Sequence, residues 1–154
     1  MFSPSPTDVR RFFVEAGRKR GARLPLTPLE TIAADWLEAH PEYADDLAGA
    51  ASRLDALSGS EDGVAEPPTS GDAARENPFL HLSMHLSITE QIGVDQPRGI
   101  RAAYTRLVER CGSAHDAQHE IMECLGRMLW DAQRGGLPPD GHAYVDCVRR
   151  LAGR

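Results

Sequence analysis

The sequence predicts an all-α protein, a helical bundle of about five to six helices with one long loop. Apolar residues recur at three- and four-residue spacing over most of the chain, which is the period of an amphipathic helix. No segment shows the alternation of apolar and polar residues that a half-buried strand requires. Proline and glycine stand mainly between the periodic segments, where they mark the starts and ends of helices.

Length and composition indicate one soluble globular domain. A chain of 154 residues has the usual size of a domain, so we expect a single helical domain over residues 1–154. The contents of 41% hydrophobic and 26% charged residues are ordinary for such a protein. The net charge of −6 disfavours a nucleic-acid-binding protein, which needs a basic surface to neutralise phosphates.

Charge is uneven along the chain. Residues 41–76 contain nine acidic side chains. The first 24 residues contain six basic ones, namely Arg10, Arg11, Arg18, Lys19, Arg20 and Arg23. We interpret both regions as solvated surfaces. The alternative is a basic arm that contacts an acidic protein partner.

Two helices are predicted before residue 40. Thr7 can cap a helix that runs to about Lys19. Thr27 and Glu30 form a capping box with Pro28 at the first helical position, so a second helix begins there. A weaker apolar pattern follows it, which favours at most a short third helix.

Residues 58–76 are polar and rich in glycine, proline and acidic side chains, which predicts a long mobile acidic loop. Further helices follow, and their predicted starts lie at Asn77–Pro78, Pro97, Ser113 and Pro138–Asp140. The helix that starts at Asn77–Pro78 is predicted to be buried, because its own apolar residues occupy almost all of its sides. These residues are Phe79, Leu80, Leu82, Met84, Leu86, Ile88 and Ile92.

The cysteines and the absence of an apolar span predict a cytoplasmic protein. Cys111, Cys124 and Cys147 are odd in number and show no Cys-x-x-Cys spacing, so we expect them to be reduced and buried. The sequence contains no run of about 18 apolar residues, so we expect no membrane span. The first residues lack the charged and apolar regions of a secretory signal.

Histidines at helical spacing are the strongest functional signal. His81 and His85 are four residues apart, as are His115 and His119, and Glu123 follows four residues later. Side chains at this spacing share one face of a helix about 6 Å apart, so each pair can bind one metal ion. The two helices concerned are separated by one helix with short turns, which favours a parallel arrangement. We therefore expect both pairs at the same end of the bundle.

The predicted metal ligands are His81, His85, His119 and Glu123, with His115 or His40 completing the set. Imidazole and carboxylate ligands suit Zn, Fe, Mn or Ni rather than Ca or Mg, which prefer oxygen. A single metal ion is more economical than two, because the pattern offers one carboxylate. A metalloenzyme would also need an open coordination position, and the sequence assigns neither a substrate nor a reaction.

A non-enzymatic interaction module is the alternative function. Its histidines would be structural, and its basic first helix or its acidic loop would bind an unidentified protein partner. Cys124 lies on the apolar side of its helix, which disfavours a nucleophilic pair with His119. Trp36 and Trp130 are interpreted as core residues. Nucleic acid and membranes are not expected partners.

Five segments resemble a family of small uncharacterised bacterial proteins that is described only as a domain of unknown function. They are NPFLHLSMHL at 77–86, HPEY at 40–43, DQPRGI at 95–100, HEIMECL at 119–125 and LWDAQR at 129–134. The resemblance covers nearly the whole chain. It implies a bacterial cytosolic protein, and it supplies no activity, substrate or cofactor.

A second resemblance, by analogy, is to hemerythrin-like bundles. These pair a His-x3-His helix with a His-x3-Glu helix, as His81/His85 and His119/Glu123 do. The order along the chain differs, and the further histidines and bridging aspartate of a di-iron site have no clear counterparts. Likeness of fold alone does not assign oxygen binding.

Overall fold

The computed structural model describes residues 6–58 and 78–153. Within these residues there are seven α-helices, one 3-10 turn and no strand, which confirms the all-α class. The elements are α1 (Pro6–Gly21), α2 (Pro28–Ala39), the 3-10 turn Pro41–Tyr43, α3 (Ala44–Ser58), α4 (Pro78–Val94), α5 (Ile100–Cys111), α6 (Ala114–Gly135) and α7 (Gly141–Ala152).

The predicted helix count of five to six was too low, because the weak pattern after Pro41 forms a full helix of 15 residues, α3. Ser58 ends this helix, whereas the rest of the predicted loop at 58–76 and the predicted cap Asn77 lie outside the described residues. α1 begins at Pro6, one residue before the predicted cap. α5 begins at Ile100 rather than at Pro97.

The chain divides into two compact units, with the boundary between Leu86 and Ser87, inside α4. The single domain expected over residues 1–154 stays a prediction.

In the first unit, α1 packs against both α2 and α3. A Cβ atom at Gly17 would lie 3.3 Å from side-chain atoms of Leu37 and Leu47, so this glycine permits the close approach of the three helices. The predicted capping box is present, since the side chains of Thr27 and Glu30 each accept a hydrogen bond from the other's backbone N–H. The buried core consists of Phe13, Ala16, Ala33, Ala50, Phe79 and Leu82.

Ion pairs connect the basic end of α1 to α2. Lys19 Nζ lies 2.7 Å from the carboxylate of Glu30, and Arg20 lies 2.9 Å from both Asp35 and Glu38. Arg18 pairs with Glu15 within α1. Three of the six basic side chains in the first 24 residues therefore have carboxylate partners within the same unit.

In the second unit, α5, α6 and α7 pack against one another. The Tyr144 hydroxyl on α7 donates a hydrogen bond of 2.7 Å to Gln91 on α4, and burial raises the pKa of this tyrosine. Gly99 directly precedes α5 and has a φ of 98°, a left-handed conformation that favours glycine. The buried side chains include Ile100, Leu107, Ile121, Leu125 and Val148.

The expectation of three reduced cysteines was wrong. Cys124 on α6 and Cys147 on α7 form a disulfide, and their Cα atoms are 5.9 Å apart. Each of these two cysteines lies on the apolar face of its helix, as the apolar pattern predicted. The pairing depends on how α6 and α7 face each other, which spacing along the chain does not reveal. Cys111 is a free thiol whose pKa is raised by burial.

Two predictions of burial also failed. Leu80 is 60% exposed, so α4 is not covered on all sides. Trp130 is likewise 60% exposed and is not a core residue. None of the described helices has the apolar length that crossing a bilayer requires.

Candidate metal centre

Three buried histidines meet in the first unit. His40 caps the C-terminal end of α2, and His81 and His85 lie one turn apart on α4. Their exposed fractions are 2%, 7% and 0%. Buried imidazoles are stable only when hydrogen bonds or a metal ion replace their contacts with water, so the polar contacts of this cluster decide its chemistry.

The local structure of α2 fixes the tautomer of His40. Its Nδ1 lies 2.9 Å from the backbone carbonyl oxygen of Trp36, in the last turn of the helix. A carbonyl oxygen can only accept, so Nδ1 carries a proton and donates it. The neutral ring therefore has its lone pair on Nε2. This assignment follows from the hydrogen bond, which also satisfies a carbonyl at the helix end.

Nε2 of His40 lies 3.2 Å from Nε2 of His81. In the absence of an ion, His81 donates its Nε2 proton to the His40 lone pair across this distance. When both nitrogens are deprotonated, the same geometry directs two lone pairs into one space. Two nitrogens bound to a tetrahedral zinc ion at 2.0–2.1 Å lie about 3.3 Å apart. The separation of His40 and His81 therefore suits a shared metal ion.

His85 contributes the third imidazole of this cluster. Its ring centroid lies 4.8 Å from the centroids of both His40 and His81. The ligand nitrogens that His40 and His85 offer lie within 4.8 Å of each other. The centroids of the three rings thus lie 4.8–4.9 Å from one another.

Aromatic rings hold two of these imidazoles in place. Trp36 stacks on His85, with centroids 3.9 Å apart and planes inclined by 15°. Tyr43 stacks on His40, with centroids 5.2 Å apart and planes inclined by 3°. Rings packed in this way restrict side-chain rotation and keep water away, and both effects strengthen the binding of a metal ion.

A second histidine pair lies in the second unit. His115 and His119 occupy the first two turns of α6, with ring centroids 4.4 Å apart and ligand nitrogens within 4.8 Å of each other. Ser113 begins this helix, and its hydroxyl accepts a hydrogen bond of 3.2 Å from the N–H of Asp116. Both histidines are less buried than those of the first unit, and Glu123 is exposed.

The structure therefore brings together His40, His81 and His85, and separately His115 and His119. The predicted convergence of the two sets stays a prediction. His142 is exposed on α7. Glu120 forms an ion pair of 3.0 Å with Arg110 on α5, so its carboxylate has a structural role.

Comparison with known proteins identifies a family and no function. Neither the curated proteins nor the solved structures contain a match to this chain. A family model described as a domain of unknown function, DUF1841, matches residues 5–150. The resemblance to an uncharacterised domain family is thereby confirmed, whereas the analogy to hemerythrin-like bundles stays a prediction. The chain belongs to the DUF1841 family.

Proposed function

We propose that this protein is a metal-binding helical protein and that His40, His81 and His85 supply the ligands of a transition-metal site. The observation that carries this proposal is the 3.2 Å separation between the Nε2 atoms of two buried imidazoles. One of these rings is already oriented through its Nδ1 by the Trp36 carbonyl. A hydrogen bond from the second ring nitrogen to a carbonyl is the usual support of a metal-binding histidine.

The donor set selects the class of metal. Neutral imidazole suits Zn, Fe and Ni, and all three belong to the predicted group of Zn, Fe, Mn or Ni. A set of three nitrogens leaves a fourth position of a tetrahedral ion for water, a substrate or a further ligand. The sequence-based prediction names His119 and Glu123 as further ligands and His115 as an optional one, and each is a candidate for this position. A metalloenzyme requires that one position be kept for water or substrate.

Zinc titration of chelator-treated, untagged protein tests the proposal. Isothermal titration calorimetry should show one ion bound per chain. The variants His40→Ala, His81→Ala and His85→Ala should each lose most of the affinity, whereas His142→Ala at an exposed position should keep it. Circular dichroism identifies any variant that fails to fold. If the folded His40→Ala and His81→Ala variants bound zinc with the affinity of the wild type, the proposal would be contradicted.

The alternative function is a non-enzymatic protein-interaction module. Its support is that the His40–His81 contact is also an acceptable hydrogen bond, so the cluster can be purely structural. The basic end of α1 is a weaker docking surface than the sequence suggested, because Lys19 and Arg20 already pair with carboxylates. This alternative predicts the same melting temperature with zinc and with a chelator.

A further inference from the structure

A cavity in the second unit lies beside the Cys124–Cys147 disulfide. Its volume is about 230 Å³, and both cysteines line it. Cys124 is 2% exposed, whereas Cys147 is half-buried. Cys147 is therefore the cysteine of this disulfide that solvent reaches more easily. The cavity is also lined by two arginines and one aspartate, namely Arg127, Arg150 and Asp131.

The charged side chains occupy matched positions. Arg127 follows Cys124 by three residues on α6, and Arg150 follows Cys147 by three residues on α7. Side chains at this spacing share one face of a helix, so each arginine lies on the same helix face as one of the two cysteines. Within the part of the chain that the structure describes, neither arginine forms an ion pair. Both charges are therefore available to an anion in the cavity.

We propose that this cavity is a thiol–disulfide exchange site for a small thiol that carries a carboxylate and an ammonium group, the chemistry of free cysteine. Arg127 and Arg150 would attract the carboxylate, and Asp131 would attract the ammonium group. A positive guanidinium beside a sulfur also stabilises the thiolate form, which is both the attacking and the leaving group in exchange.

The reaction has two steps. In the first, the thiolate of the small thiol attacks Cys147 Sγ, a mixed disulfide forms, and the electron pair of the Cys124–Cys147 bond leaves on Cys124 Sγ. In the second, another thiolate attacks the small-molecule sulfur of the mixed disulfide and releases the thiolate of Cys147. Two small thiols lose two electrons and form their own disulfide, while the protein disulfide gains two electrons. The proton of each attacking thiol passes to solvent, and each protein thiolate is protonated from solvent.

A small disulfide of the same chemistry would run the two steps in reverse and reform the Cys124–Cys147 bond.

Mass spectrometry of the full chain tests this proposal. In a Cys111→Ser background, so that an added mass reports the disulfide alone, the native protein is treated with L-cysteine, quenched with acid and mapped by peptides. The adduct should appear on Cys147. An adduct on Cys124, or no reaction until the protein is unfolded with urea, would overturn the proposal.

A pair of variants tests the role of charge. The double variant Arg127→Gln/Arg150→Gln should slow the reaction with L-cysteine by about threefold to fivefold, as expected for the loss of partly screened charge pairs. The reaction with neutral 2-mercaptoethanol should slow less, because this thiol has no carboxylate. The control Arg98→Gln/Arg106→Gln removes two exposed charges outside the cavity lining and should leave both rates unchanged. Equal slowing with both thiols would contradict recognition of the carboxylate.

Discussion

The indole of Trp36 lies against the imidazole of His85, with ring centroids 3.9 Å apart. The same tryptophan accepts a hydrogen bond from His40 through its backbone carbonyl. One residue of α2 thus orients two of the three histidines that we assign to the metal site. Its ring also provides a spectroscopic probe within that site.

Binding of a paramagnetic ion should quench Trp36. In the Trp130→Phe variant Trp36 is the sole tryptophan, so a titration with Ni²⁺ should remove most of its fluorescence as the site fills. Adding His40→Ala to this background should abolish the saturable quenching. Saturable quenching of equal size in both proteins would place the bound ion elsewhere.

His85 should contribute to stability through packing as well as through metal binding. Its side chain is fully buried against Trp36, so His85→Ala should lower the free energy of unfolding by about 2–4 kcal/mol, as for other large-to-small core substitutions. His85→Phe keeps the ring stack and should restore much of this loss without restoring metal affinity. Urea unfolding without metal measures both effects. A loss below about 1 kcal/mol for His85→Ala would contradict the packing role.

The Lys19–Glu30 pair should make stability depend on acidic pH. The hydrogen bond from Lys19, followed by that from the Thr27 backbone, lowers the pKa of Glu30 from 4.5 to about 2. Because the folded-state pKa is the lower one, the stabilisation is fully present above pH 4.5 and is lost as the pH falls from 4.5 towards 2.

Urea unfolding as a function of pH measures this effect. Glu30→Gln should flatten the acid limb of the stability curve, whereas Glu109→Gln at an exposed position should not. An identical acid limb in the wild type and in Glu30→Gln would show that this carboxylate is not the cause.

The Ser113 cap should stabilise the start of α6, where His115 lies. The Ser113 hydroxyl accepts the N–H of Asp116, so Ser113→Ala should cost about 1 kcal/mol and Ser113→Thr much less. Thermal unfolding of the three proteins checks the order. Equal stability of Ser113→Ala and the wild type would mean that water replaces the cap at no cost.

The sequence-based assignment of His119 and Glu123 as ligands is tested by single variants. If each binds the ion, His119→Ala and Glu123→Gln should weaken zinc binding by about tenfold or more. Unchanged affinity in both would limit the site to the three histidines of the first unit. Glu109→Gln again serves as a control for the loss of a surface charge.

The helices were predictable because their signals are local. Thr27 with Glu30 and Ser113 with Asp116 form caps within four residues of chain, and the structure contains both. The apolar repeat also predicted the burial of His81 and His85, since their neighbours on α4 are apolar in almost every direction. α3 was underestimated because its acidic side chains weaken the apolar pattern by which a helix is recognised.

Long-range contacts were not predictable in the same way. His40 was only an optional ligand, because the segment at 58–76 separates α2 from α4 and no spacing rule spans such a distance. The Cys124–Cys147 bond likewise depends on the facing surfaces of α6 and α7. The exposure of Leu80 and Trp130 depends on which helix faces receive a packing partner, and composition does not determine that.

X-ray absorption spectroscopy at the zinc edge reports directly on the ligands of a bound zinc ion. In zinc-loaded wild-type protein we expect a first shell that contains at least the imidazole nitrogens of His40, His81 and His85, at about 2.0–2.1 Å. His81→Ala should show one imidazole fewer. A shell of oxygen ligands only, or the same imidazole count in the wild type and in His81→Ala, would contradict the proposed metal site.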